Sequence, residues 1–205
     1  MLVSATISAE ISVGVSEGDW IEYTITYTGT PPKKHPTRAK VQILSVEGTN
    51  ITLRGTVEYS DGTQETPTTT ADLEAGKLGD GFIIPANLTS GDTFYDENEG
   101  NITISGVEER TYSGARRTVV YATYSQGTIS AHARWDKSTG VLVEVILLSA
   151  ELTTNWKADK TNLWQAQLFG LEPTVFYTLI IAAIAIVAIV AFLVIRRRKS
   201  PPLSA

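Results

Sequence analysis

The chain has 205 residues, 42% of them hydrophobic, no cysteine and a formal net charge of −5. Without cysteine there is no disulfide framework and no thiolate chemistry, so any folded part must be held by a core of its own. All 22 Asp and Glu and 13 of the 17 Lys and Arg precede residue 196, leaving −9 before that point and +4 after it; such an acid excess argues against nucleic acid as a partner.

Residues 1–9 have no basic start and are too short for a full apolar signal region, yet they end in small residues, so they read as the remnant of a signal peptide. From Ile7 onward the dominant pattern is alternation with period two, the mark of half-buried strands. Ile7, Ala9, Ile11, Val13 and Val15 alternate first. A turn at Glu17-Gly18-Asp19 follows, and Ile21, Tyr23, Ile25 and Tyr27 then alternate with Glu22, Thr24 and Thr26. After the proline-stiffened loop 31–36, Val41 to Ser45 and Ile51 to Tyr59 form a hairpin about Gly48-Thr49-Asn50, closed by Asp61-Gly62.

Residues 63–100 are interrupted by Pro67, Gly76, Gly79, Gly81, Pro85 and Gly91, which predicts a loop-rich excursion with one short helical turn near Asp72 to Ala75 and a flexible tip at Thr66 to Thr70. Strands return over 102–110, 115–124, 127–135 and 141–150. Asp136-Lys137-Ser138-Thr139-Gly140 forms the tightest hairpin signal, with Gly140 suited to positive φ. Glu151 to Lys160 supplies a last strand. Eight to ten strands without a persuasive helix predict an all-β antiparallel curved sheet, as a half-barrel, barrel or sandwich, over residues 10–163.

Residues 164–174 read as a linker carrying one charge, Glu172. From Val175 to Ile195 there are 21 residues without a charge, about 31 Å of helix, close to the ~30 Å hydrocarbon thickness of a bilayer. Arg196, Arg197, Arg198 and Lys199 close the run and begin a tail, 196–205, too short to fold. Cationic flanks stay on the cytoplasmic side, which predicts a single-pass protein of the cell membrane with its N-terminal domain outside and its tail inside. Trp164, Phe169, Phe176 and Tyr177 bracket the start of the span and read as its outer aromatic belt; the alternative for Trp164 is a place at the edge of the β core. Ala182, Ala185, Ala188 and Ala191 recur in the run at every third position, and no two of its alanines have the four-residue spacing that favours tight helix pairing.

Chemistry-bearing motifs are sparse. His35 and His132 are the two histidines, too few for a zinc site without cysteine, and there is no nucleophile elbow, Ser-x-x-Lys motif or phosphate-binding loop. Asp92, Asp96, Glu97 and Glu99 crowd one loop, where a glycosidase carboxylate pair is the functional reading and a solvated turn the ordinary one. In the same loop, Asp96 and Asn98 alternate as oxygen ligands do in calcium loops, but Gly100, Asn101 and Glu109 depart from the EF-hand pattern. Calcium is thus the one cofactor the sequence offers. Asn50, Asn87 and Asn101 each open an Asn-x-Thr sequon in or beside a predicted turn, the acceptors of an extracellular glycoprotein.

Three blocks, Gly18 to Tyr23, Ile84 to Leu88 with Ser90-Gly91-Asp92, and Trp135 to Glu144, resemble a loosely defined group of uncharacterised archaeal surface proteins with a β-rich ectodomain and one C-terminal membrane helix. The resemblance implies architecture and location, and no reaction. The tail is also similar to that of archaeosortase-processed proteins, without their Pro-Gly-Phe signal. The strand–turn–strand run about Gly140 resembles the curved sheets of lipoprotein-carrier domains, which implies a concave face that Tyr23, Tyr27, Tyr121 and Tyr124 either line or fill as core. The expectation is therefore a non-catalytic cell-surface β-domain with a structural or binding role. Its partners would be membrane lipid and other surface proteins or glycans. The alternative is a carrier of a lipid or other apolar ligand.

Overall fold

The structure, a computed structural model, describes residues 11–198, with side chains other than those of residues 126, 188 and 190–198. The strands are β1 (Trp20–Gly29), β2 (Pro36–Glu47), β3 (Asn50–Tyr59), β4 (Gln64–Glu65), β5 (Thr68–Asp72), β6 (Thr93–Asp96), β7 (Gly100–Thr103), β8 (Gly106–Tyr112), β9 (Ala115–Gln126), β10 (Ile129–Asp136), β11 (Leu142–Leu148) and β12 (Leu152–Thr161), and one helix follows, α1 (Pro173–Arg198). The chain divides into two compact units between Trp164 and Gln165.

The first unit is a sheet in the order β4-β3-β2-β1-β12-β11-β10-β9-β8, with β5 also on β3, and a separate β6-β7 hairpin. Every named pair is antiparallel. The expected all-β antiparallel architecture is met, and the sheet is open: β4 and β5 at one edge do not pair with β8 at the other. β8 and β12 nevertheless touch, although three strands lie between them. A flat sheet at ~4.8 Å per strand would hold them about 19 Å apart, so this half of the sheet curls.

Alternation in the sequence becomes alternation in burial. Along β1, Ile21, Tyr23 and Ile25 are buried and their neighbours are not. Register carries that face across the sheet: Tyr23 pairs with Ala39 and Ala158, Ile25 with Trp156, Trp156 with Val145, and Val145 with Ala133. The loop-rich excursion covers this core. Trp135 Nε1 donates to the Gly81 carbonyl at 2.8 Å, the Phe94 ring meets the Trp135 ring edge-on at 5.7 Å, and Phe82 meets Tyr23 the same way at 6.0 Å. Gly140 has φ 73°, as the hairpin requires, and a Cβ there would collide with the carbonyl of Ile84, whose own N–H donates to Gly140 O at 3.0 Å. Hairpin and covering loop thus dock backbone to backbone.

Four local expectations are corrected. The alternating run 7–15 is not a strand where it is described: residues 11–16 form none, and residues 1–10 lie outside the described residues. Both edges of β1 are already taken by β2 and β12; Ser12 O instead accepts the Ala86 N–H, while Val15 is buried. The strand expected over 102–110 is broken at Ile104, whose N–H turns to Asp92 O while the Ser105 N–H turns to Tyr121 O. Residues 73–76 make a turn and not a helix, because Asp72 Oδ1 takes the N–H groups of Glu74 and Ala75 and closes the chain on itself. Thr68 to Thr70, expected in a loop tip, lie in β5 against β3.

In the second unit α1 is helical from Pro173 to Arg198. Among the described residues no helix is long and apolar enough to cross a membrane. Trp164, expected in the linker and the aromatic belt, belongs to the β unit, where it is 9% exposed and donates from Nε1 to Tyr112 O at 3.2 Å.

Candidate functional site

The curl brings charges together on the face opposite the Tyr23 core. Register aligns Lys157, Glu144, Arg134 and Tyr121 in one row across four strands. Arg134 bridges two acids, Glu108 Oε1 at 2.8 Å and Glu144 Oε2 at 3.3 Å, and Arg110 holds the same Glu108 oxygen at 2.8 Å. Tyr112 Oη, from edge strand β8, donates to Glu144 Oε2 at 2.9 Å, and Lys157 Nζ lies 5.8 Å from the Tyr112 ring centroid. Hydrogen bonds from Arg110 and Arg134 hold the Glu108 carboxyl below its ordinary range. Burial, and then the negative charge of Glu144, push the Tyr112 phenol well above its own. Glu108, Glu144, Arg134, Arg110 and Tyr112 satisfy one another, so the row joins β8 to the rest of the curl, with Lys157 exposed at its end.

A second buried charge lies beside it. Asp136 is fully buried at the end of β10 and gathers Arg117 Nε at 2.8 Å, Arg117 Nη2 at 3.2 Å, Ser138 Oγ at 2.7 Å and the Thr139 N–H and Oγ1, both at 3.0 Å. Burial alone would raise this carboxyl; the donors from Arg117, Ser138 and Thr139 outweigh it and hold the group below its usual value. The Arg117 guanidinium also lies 4.7 Å from the centroid of the Trp164 ring. The hairpin turn, β9 and the last residue of the β unit are therefore tied through one cation.

On the outer face of β1, β2, β3, β4 and β12 there is an open cleft of ≈ 200 Å³, lined by Glu22, Arg38, Lys40, Glu58 and Asp159 with Thr56 and Gln64. The bulge between Glu22 and Tyr23, where β1 meets β12, sets Asp159 out of register beside it. Lys40 Nζ pairs with Glu22 Oε1 at 3.1 Å and covers the Trp20 ring at 4.2 Å. Both charge signs therefore face one small hollow. An apolar hollow near Trp20, Ile43, Phe82 and Leu163 has ≈ 0 Å³ of room, less than a water requires.

The residues expected from sequence to matter fall at separate places. Asn50, Asn87 and Asn101 are all exposed: Asn50 opens β3, Asn101 lies in β7, and Asn87 sits at φ 64° with its Nδ2 donating to Ser12 Oγ at 3.3 Å and its N–H to Lys137 O at 2.7 Å. Asp96 is 5% exposed, and its Oδ1 accepts the N–H groups of Asn98 at 2.8 Å and Glu99 at 3.1 Å, so it caps the β6-β7 turn. Asp92 does the same for Thr89 N at 2.7 Å. Among the described residues no cluster of three His, Asp or Glu could hold a metal ion. His35 Nδ1 contacts Pro32 O at 2.7 Å and its ring meets Tyr27 at 4.9 Å, while His132 Nδ1 is 3.0 Å from Thr123 Oγ1. Tyr23 is core and donates to Leu142 O at 2.6 Å; burial raises its pKa well above the ordinary phenol value, and Tyr124, also desolvated, is pushed up to about 12.

Of the anchor residues, Val175 and Ile195 to Arg198 lie in α1, and Lys199 is outside the described residues. Sequence reading missed the Arg134 row, the Arg117–Asp136 pair and the charged cleft. Their signal was the set of polar positions on neighbouring strands, which becomes a site only when register is known. No protein-family model matches this chain, and no curated protein matches it.

Proposed function

We propose that the chain is a single-pass cell-surface protein whose β unit faces outside, with a structural or binding role and no catalysis. The observation that carries the reading is α1: its helical backbone runs 26 residues, Pro173–Arg198, and contains the 21-residue uncharged sequence 175–195 that ends in a cluster of four cations. Its described side chains are largely apolar and exposed. Val175, Leu179, Ile181, Ile184, Ile186, Val187 and Ile189 are each between 47% and 68% exposed, a surface that water disfavours and a bilayer accepts. The hydroxyl of Thr178 donates to Thr174 O at 2.7 Å, satisfying inside the helix a group that lipid leaves without a partner. The block resemblance to archaeal surface proteins points the same way.

The binding face we favour is the charged cleft, whose carboxylates and cations suit hydroxyl-rich or zwitterionic groups of a surface glycan or protein. The curl of β8 to β12 is read as half a barrel, filled by its own side chains. A carrier of apolar ligands needs a cavity of about 300–1,000 Å³ lined mainly by apolar groups. The cleft is ≈ 200 Å³ and lined chiefly by charged and polar residues, which favours the surface role over the carrier. N-glycans at the exposed sequons belong to the same reading. Extraction of membranes at alkaline pH tests the anchor: the full chain should stay with the lipid pellet, and release into the supernatant would contradict it.

A further inference from the structure

We infer that residues 168–171 form a lipid-inserting hairpin that lies in the outer membrane interface beside the start of α1, an inference that rests on the anchor reading above. Leu168 and Leu171 exchange both backbone hydrogen bonds, N to O at 2.8 and 3.0 Å, around the two central residues Phe169 and Gly170, whose φ values are 53° and 78°. Two positive φ angles in a two-residue loop mark a type I′ hairpin, a turn that favours Asn-Gly or Asp-Gly. Here the first position holds a phenylalanine. A bulky side chain at positive φ is an outlier, and this one is 92% exposed, so in water the turn would combine a disfavoured backbone with a bare aromatic ring.

A membrane interface removes the contradiction. The turn folds the chain back so that the Phe169 ring stacks on Phe176 at 5.5 Å with 28° between planes, and Phe176 meets Tyr177 at 5.8 Å. Phe176 is the second residue of the uncharged run, so Phe169 lies level with its first turn. From Thr161 to Ile195 the one charged residue is Glu172, so a single carboxylate is the only charge in this segment that opposes placement at the headgroup boundary, where aromatic rings are favoured. Leu171, Val175 and Tyr177, 37%, 47% and 57% exposed, extend the same apolar surface. The hairpin thus gives the chain a second attachment that limits how far α1 slides or tilts.

The chain has no cysteine, so single-site nitroxide labels report depth cleanly. Full-length Phe169→Cys, Ala185→Cys and Asp61→Cys would be labelled, reconstituted in phosphatidylcholine vesicles and read by collision with oxygen against a water-soluble nickel chelate. The expected order of the oxygen-to-nickel ratio is highest at position 185, intermediate at 169 and lowest at 61. A ratio at 169 equal to that at 61, with 185 still high, overturns the hairpin and leaves the anchor standing. A ratio at 185 as low as at 61 overturns the anchor, and the hairpin with it. Position 169 is exposed already, so its replacement does not threaten the fold.

Discussion

Arg117 holds the fully buried carboxylate of Asp136 with two hydrogen bonds, 2.8 and 3.2 Å, from a guanidinium that is itself 24% exposed at the side chain. Removing one partner of such a pair strands a charge, at a cost of about 3–5 kcal/mol.

Arg117→Ala should therefore lower the melting temperature by roughly 6–12 °C at the lower end of that cost, using about 2–4 °C per kcal/mol for a unit of this size. Arg117→Lys should recover only part, because a lysine replaces the two-pronged contact with a single point charge. Thermal unfolding followed by near-ultraviolet circular dichroism reads both. An unchanged transition in Arg117→Ala would show that the turn is held without the pair.

The same carboxylate predicts a pH dependence. Its folded-state pKa is depressed, so its contribution is fully present above the unfolded value, about 3.9, and is lost as pH falls through the lower folded value. Stability should hold from pH 7 to about pH 5 and fall below about pH 4. Asp136→Asn should start less stable at neutral pH and lose less on acidification. Equal acid sensitivity in the two proteins would assign the loss to other carboxylates, Glu108 first among them.

Gly140 and Gly62 both have positive φ, 73° and 81°, but only Gly140 faces backbone, the Ile84 carbonyl; a Cβ at Gly62 meets open space. Gly62→Ala should cost about 1 kcal/mol of strain. Gly140→Ala should cost several times more and loosen the covering loop, seen as faster hydrogen exchange at Ile84 and Ala86. Equal losses would mean that hairpin and loop are not docked as described.

Glycan attachment should reach Asn50 and Asn101 most readily, since both are exposed at strand positions and among the described residues no hydrogen bond holds either side-chain amide, whereas the Asn87 amide is engaged by Ser12. Mass spectrometry of the native protein should find added mass at the first two sites. Their replacement by Gln should remove it without unfolding the β unit. Unmodified asparagine at all three sequons would contradict the glycoprotein reading.

Much of this architecture was legible from residue pattern because one physical rule dominates it. Ile21, Tyr23 and Ile25 alternate in sequence because they alternate across a half-buried sheet, and Gly18 and Gly140 take the positive φ their turns require. The rule failed where apolar alternation served a different partner. Ile11 and Val13 pack on the core without entering a ladder, and Ile104 turns its N–H to the Asp92 loop. The charged sites were hidden for a related reason: Glu144 meets Tyr112 across 32 residues and Arg117 meets Asp136 across 19, separations set by strand order and curl. Asp96 misled because turn caps and calcium loops use the same oxygen-rich residues, and here the Asn98 and Glu99 N–H groups occupy the oxygen.

The most direct test of the anchored, outward-facing account is maleimide labelling of intact cells, since the chain offers no cysteine of its own. Asp61→Cys places a thiol at an exposed turn of the β unit, and Ser200→Cys places one beyond the cationic cluster. A membrane-impermeant maleimide should modify the Asp61→Cys protein on intact cells and the Ser200→Cys protein only after permeabilisation. Protection of Asp61→Cys together with labelling of Ser200→Cys would reverse the topology, and protection of both until lysis would contradict surface exposure.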